Sequence, residues 1–407
     1  MKIRSITSFY DPRAGDARQQ LDRLTRLAQE GSRLFGQAGV AVQTLRLVTP
    51  PFPLMGIADG AAGLVRFARS LEHETRERGF GYLSLGPALP GRMESFEWVT
   101  PVLAETEIVF LSGVMAGLAE GLSLPAVRAC ARIIASAAGI GGDGFANLRF
   151  GALANLGPHG PFLPGAYHAG ERPAFAIAVE CADLAVEALR QTAGPAEARV
   201  LLLAALEDAA GQISAVSEQL ARQFDVDFKG LDFSLAPYPQ DWCSLGAALE
   251  GLGLGALGLA GSAAAAAFIA DTPDRGRWLK TGFNGLMLPV LEDSVLAARA
   301  AQGSLTLKDL LLFSAMCGAG LDTVPLPGDA APEQLEGVLL DVAAIALRLN
   351  KPLIARLMPL PGKQAGDPVA FDFEFFARGA VLALPAAPLS RGLASEETLS
   401  IRPRISK

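Results

Sequence analysis

Residues 2–8 read Lys-Ile-Arg-Ser-Ile-Thr-Ser, with apolar positions set among charged and hydroxyl ones, which predicts a strand. From 17 to 36 the apolar positions recur three and four apart, the spacing of an amphipathic helix. A β-rich run at 40–48, a helical pattern at 61–78 and short apolar strands at 82–86 and 107–112 continue the alternation. Strands separated by helices favour parallel pairing through crossovers, so this half predicts a wound sheet or a barrel.

The middle predicts long helices at 174–190 and 196–224. Between these halves, residues 157–170 carry so much Gly and Pro that regular structure is excluded, and the segment is expected to be a surface or site loop. Further on, the pattern predicts strands at 231–235, 323–326, 353–359 and 370–384, and helices at 245–252, 288–301, 307–315 and 332–349. No linker, charge block or repeat divides the chain, so residues 1–407 are expected to form one large α/β domain.

Composition narrows the partners. Half of the 407 residues are apolar, enough for a large core. Only 19% are charged and the net charge is −7, which leaves no basic surface for phosphates. Nucleic acid is therefore not an expected partner; a small-molecule substrate or ligand is, and a homo-oligomer is compatible. Cys130, Cys181, Cys243 and Cys317 form no CxxC pair and read as thiols of a reducing compartment. The first residues lack the apolar core of a signal peptide, so a cytoplasmic location is expected. Residues 251–270 form a 20-residue stretch without charge, long enough to span a bilayer. Being mostly Gly and Ala, it gains little from lipid, and a tightly packed helix pair is expected instead of a membrane contact.

Two glycine clusters loosely match nucleotide loops. Gly253-Leu-Gly255-Ala-Leu-Gly258 fits GxGxxG but follows helical sequence, and the cluster at 139–144 lacks the Lys and Ser/Thr of a phosphate loop, so close packing and a plain loop are expected. Two of the three histidines, His159 and His168, stand on the Gly/Pro-rich loop that follows Asn155. Imidazole there can work as acid or base, with turn capping the ordinary alternative, and a metal would need carboxylates from elsewhere. Glu180, Asp232, Glu292 and Asp293 are acids inside or beside apolar runs, where burial would perturb them. For Glu292 and Asp293 the competing role is to cap the helix that follows. Cys317 ends an apolar helical run and would be a nucleophile if a cation lowered its pKa, or an inert core thiol. Arg356 and Lys363, on a strand and its exit turn, would clamp an anionic substrate or pair with Asp367 or Asp372.

Five runs carry a resemblance: NLRFGALANLGPHGPFLPGAYH (147–168), GLDFSLAPYP (230–239), TGFNGLMLPVLEDSVLA (281–297), CGAGLDTVPLPGD (317–329) and LNKPLIARLMPLPGKQAGDPVAFDF (349–373). In this order they resemble the domain-of-unknown-function 711 family, whose members look like pyruvate formate-lyase. The resemblance implies a pyruvate-formate-lyase-like α/β barrel of parallel and antiparallel strands with surrounding helices, and a finger loop bearing a cysteine, for which Cys317 is the candidate. His168, Asp232, Glu292, Asp293, Cys317, Asp322 and Lys363 fall within the motifs, whereas His159 stands where other members often have another residue. The glycyl-radical enzymes of this fold also need a glycine in an Arg-Val-x-Gly-Tyr-like setting. Here Gly392 is followed by Leu-Ala-Ser and Gly379 by Ala-Val-Leu, so no radical is expected.

The expectation is thus a non-radical lyase, isomerase or acyl-transfer enzyme acting on an anionic metabolite. His168, Cys317, Asp232, Glu180 and Glu292 are assigned to catalysis, and His159, Asn155, Asp293, Asp322, Arg356 and Lys363 to substrate binding. The cofactor is left open, a metal included. The alternatives are a metabolite-binding or regulatory protein without catalysis, and a metal-dependent hydrolase or lyase.

Overall fold

The computed structural model describes residues 1–170, 172–316 and 318–404. Its alternating pattern becomes strands β1 (Lys2–Phe9), β2 (Val42–Val48), β3 (Tyr82–Ala88), β4 (Val109–Gly117), β5 (Gly121–Ser123), β6 (Phe150–Ala154), β7 (Ala174–Glu180), β8 (Asp227–Ala236), β9 (Gly320–Pro327) and β10 (Leu353–Leu360), with helices between most of them. The main sheet runs β8-β7-β1-β2-β3-β4-β6-β10-β9, with β5 annexed to β4. Pairing is parallel except at β1–β7 and β6–β10 along this path. The chain is of the α/β class, a mostly parallel sheet wrapped by helices.

Helices cover the outer face of the sheet. Helix Ala17–Gln37 buries Leu21, Leu24, Leu27, Ala28 and Phe35, its three-and-four-spaced stripe, in the same core as Ile3 and Ile6 of β1. Leu24 and Leu27 are wholly buried, and each stabilises the fold by roughly 2 kcal/mol.

Strand β7 departs from the expected helix at 174–190. Alanine favours helix by propensity, yet Ala174, Ala176 and Ala178 alternate with Phe175, Ile177 and Val179, and two neighbouring strands capture that period of two. The bulky set packs with the outer helices while the alanines face inward, with Glu180 on the alanine side of the alternation. Helix begins only at Ala182. Residues 288–301 also differ: the helix starts at Ser294, capped by Asp293, and the preceding stretch is extended and irregular. Residues 370–384 are largely irregular rather than a strand. The uncharged stretch 251–270 is divided between helices Leu245–Gly251 and Ser262–Asp274, which touch each other. Among the described residues the one helix long and apolar enough to cross a membrane is Pro195–Phe224, by length and composition alone.

The small inner side chains leave room for the Gly/Pro-rich loop, which is not at the surface. Its residues Gly160 to Ala166 are buried. Phe162 packs with Leu153 of β6, Ala178 of β7, Ala236 of β8 and Ile354 of β10; Leu163 and Ala166 pack with Phe9, Val48, Phe110 and Ala176. Strands far apart along the sheet meet the same loop, so the sheet curls around it. Thr7 Oγ1 donates to the Pro161 carbonyl at 2.9 Å and Ser84 Oγ to that of Ala166 at 2.9 Å, fixing the loop to two strands. The regular ladder stays open, because its end strands β8 and β9 are not paired with each other among the described residues. The irregular stretch 279–290 lies across that gap: the Thr281 N–H donates to Leu231 of β8 and the Val290 N–H to Asp322 of β9.

Candidate functional site

Three arginines and three carboxylates converge on the inner face. Arg4 stands where the β1–β7 register slips, Ile3 pairing with Val179 and Ser5 with Ala178, so it is an extra residue free to turn inward. A second slip sets Asp322 and Thr323 of β9 together opposite Arg356 of β10. Thr323 there has φ +42°, a left-handed conformation that a β-branched residue adopts at a cost of about 1–3 kcal/mol. The bulge aims the Asp322 carboxylate at the guanidinium: Arg356 Nε donates to Asp322 Oδ1 at 2.5 Å and Nη2 to Glu292 Oε1 at 2.9 Å. The other oxygen of Glu292 accepts from Arg4 Nη2 at 2.7 Å, and Arg4 Nη1 reaches Glu180 Oε2 at 2.7 Å. Lys2 Nζ, 3.1 Å from Glu180 Oε1, ends the chain of alternating charges toward the surface.

Burial and pairing set the protonation of this chain. Burial is the largest influence on Arg4 and Arg356 and opposes their charge, yet Glu292 with Glu180, and Asp322 with Glu292, outweigh it and hold both guanidinium pKa values above the usual value. Burial pushes Asp322 up against the pull of Arg356, and repulsion from Glu292 adds to the rise. The directions agree with two acids crowded at one buried cation.

Arg46 differs from both. It is 6% exposed, projects from β2 into the same cleft, and donates from Nε to Thr44 Oγ1 at 3.0 Å. Its guanidinium carbon lies 5.7 Å from the Tyr82 ring centre, and among the described residues no carboxylate pairs with it. Burial first, then repulsion from Arg4 and to a lesser extent Arg356, outweighs the attraction of Glu292 at longer range and lowers its pKa to about 9, which leaves it charged at neutral pH. The cleft around it encloses about 730 Å³ including its mouth. Its polar lining is Arg4, Gln43, Arg46, Glu292, Asp322 and Arg356; the rest is aromatic and apolar, with Phe162, Leu163 and Pro164 of the inserted loop forming part of the wall.

Of the residues singled out in the sequence, Glu292, Asp322 and Arg356 line this cleft, and Glu180 joins it through Arg4. The others stand elsewhere. Asp232 organises the stretch across the sheet gap, accepting from the N–H groups of Phe283 at 2.8 Å and Asn284 at 3.0 Å and from the Ser234 hydroxyl. Gly282, at φ +76°, has no room for a Cβ against that carboxylate, which explains the glycine. Asp293 caps helix Ser294–Gln302 and accepts from Ser244 Oγ at 2.6 Å. His159 Nε2 and His168 Nδ1 share one proton position at 3.1 Å, beside the Phe9 ring and outside the cleft wall. Burial lowers both to about 4, so both rings are neutral at pH 7. Asn155 bonds Asn350 at an exposed site and Lys363 bonds the Pro368 carbonyl at another. Cys317 lies outside the described residues. Among those described, no three His, Cys, Asp or Glu side chains gather closely enough to hold a metal.

Arg4, Arg46 and Gln43 escaped the sequence reading. A cation within a short strand is as unusual as an acid there, so the signal that marked Glu180 and Asp232 was present in Lys-Ile-Arg-Ser-Ile and Thr-Leu-Arg-Leu-Val.

Comparison with known proteins supplies a family without a reaction. A protein called UPF0210 from Pyrobaculum arsenaticum is 33% identical over 360 residues, covering 84% of this chain and 79% of its own. One of the same description from Pelotomaculum thermopropionicum is 30% identical over 413 residues, covering 95% and 90%. Another, from Limosilactobacillus fermentum, is 27% identical over 388 residues, covering 90% and 86%. The family model described as "Uncharacterised ACR (DUF711)" matches residues 1–374, which include all the cleft-lining residues except Phe375, and the chain belongs to that family.

Proposed function

We propose that the chain is a small-molecule enzyme whose cleft seats an anionic metabolite on Arg46 and moves a proton through Asp322. The observation that carries this reading is Arg46: among the described residues this buried guanidinium has no ion-paired carboxylate, which is costly, and an anionic ligand would supply the missing partner. Arg4 and Arg356 are ion-paired with Glu180, Glu292 and Asp322, so among the described residues Arg46 is the arginine of the cleft wall left to meet that ligand.

A lyase or isomerase step needs a group that takes and returns a proton beside the bound anion. Asp322 has the form: buried, raised in pKa, and held at Oδ1 by Arg356. Glu292 is spent on two arginines, which favours a second reading in which the cleft binds a metabolite without transforming it. Cys130, Cys181 and Cys243 are free and buried, in keeping with a cytoplasmic setting.

Isothermal titration of a panel of mono- and dicarboxylates and phosphate esters at low salt tests the anion site. We expect at least one anion to bind the wild-type chain and to lose tenfold or more in affinity with Arg46→Met. Equal binding by the folded variant would overturn the assignment.

A further inference from the structure

Six of the seventeen cleft-lining residues are aromatic, namely Tyr82, Phe110, Phe162, Phe283, Phe373 and Phe375, against 7% of the whole chain. They come from β3, β4, the inserted loop, the stretch across the sheet gap and the irregular segment after β10, so the enrichment does not follow from one aromatic run. Resting on the anion-site reading, we infer that the ligand is a monocarboxylate carried on a planar aromatic body.

Charge and shape both select that class. Arg46, the arginine of the wall without an ion pair among the described residues, matches one carboxylate better than a phosphate dianion, and its planar guanidinium meets a planar carboxylate with two parallel hydrogen bonds. Beyond the head group, Leu148, Leu163, Met287 and Ile354 complete a wall that offers little to a polar chain such as a sugar. Phe375 lies 5.4 Å from the Arg4 guanidinium, and Phe373 and Phe375 pack edge to face at 5.1 Å, forming an aromatic side wall. Such rings hold an aryl group by stacking and edge contacts as well as by burial. Gln43 adds one polar demand: its Oε1 is buried in this wall without a partner, so a hydroxyl or amino substituent on the ring would satisfy it.

The test titrates the full-length protein with phenylacetate, 4-hydroxyphenylacetate, acetate, phenyl phosphate and the neutral isostere phenylacetamide. Phenylacetate should bind on the order of ten- to a hundredfold more tightly than acetate, the gain from burying a phenyl ring. It should also exceed phenylacetamide by at least tenfold, a comparison made on the unaltered protein. Phe375→Ala should weaken phenylacetate severalfold more than it weakens acetate. Acetate and phenylacetate binding alike, both through Arg46, would overturn the aromatic class and leave the anion site standing. Preference for phenyl phosphate over phenylacetate would overturn the carboxylate head. If none of the five binds in an Arg46-dependent way, this inference falls, while an aliphatic anion from the wider panel would still sustain the site.

Discussion

Replacing Arg356 with methionine separates a paired arginine from the unpaired one beside it. In the native chain Arg356 is the only cation on Asp322 among the described residues, whereas Glu292 keeps Arg4 when Arg356 is lost. The substitution therefore orphans one carboxylate that is 4% exposed. Breaking a buried pair in this way costs about 3–5 kcal/mol at pH 7. Arg46→Met removes a buried charge that has no ion pair among the described residues, and should leave the ligand-free protein as stable or raise it by roughly 1–3 kcal/mol. Urea unfolding followed by the fluorescence of the three tryptophans reads both changes as opposite shifts of the midpoint. The Arg356→Met deficit also has a pH signature. Without the cation, the folded-state pKa of Asp322 rises further above its unfolded value, so the folded chain binds the extra proton and the deficit shrinks as pH falls from 7 toward 4. The double variant Arg356→Met with Asp322→Leu should recover most of the loss. Equal midpoints for Arg356→Met and Arg46→Met, or a double variant no more stable than Arg356→Met alone, would refute this electrostatic account.

Three further outcomes rest on buried groups outside the cleft. Asp232→Ala leaves the Phe283 and Asn284 N–H groups without their acceptor and should cost about 2–5 kcal/mol by urea unfolding. Because burial raises the Asp232 pKa to about 6, the native acid gains stability as pH falls through 6 toward 4, and Asp232→Asn should flatten that part of the profile. The paired histidines act with the opposite sign. Their folded pKa values of about 4 lie below the unfolded value, so stability present above pH 6.5 is lost as pH falls toward 4. His168→Phe should reduce that loss, and an unchanged acid limb would show that the ring is not buried neutral.

Much of the fold was legible because local periodicity and global packing agree in most elements. The amphipathic stripe of Ala17–Gln37 and the strand pattern of β1 each point to the face they bury. They disagree at β7, where alanine propensity favours helix and a period of two favours strand; only the neighbours β1 and β8 settle the contest. The site was half legible for a related reason. Acids in apolar runs drew attention to Glu180 and Glu292, and a family motif to Asp322, but the apolar-run pattern also marks Asp232 and Asp293, whose oxygens hold backbone N–H groups. A sequence shows that a carboxylate is buried, not whether an arginine or a peptide group meets it.

By itself the sequence determined the α/β class, the family, the large core and the candidacy of Glu180, Glu292, Asp322 and Arg356. Tertiary structure alone decided that the Gly/Pro-rich loop runs inside the curled sheet and that β1 and β10, far apart along it, share Glu292. It also decided that, among the described residues, Arg46 is left without an ion pair. The physical reason is that hydrophobic periodicity is local and records which face of an element is buried, whereas charge pairing depends on distances between residues hundreds of positions apart, such as the 288 that separate Arg4 from Glu292.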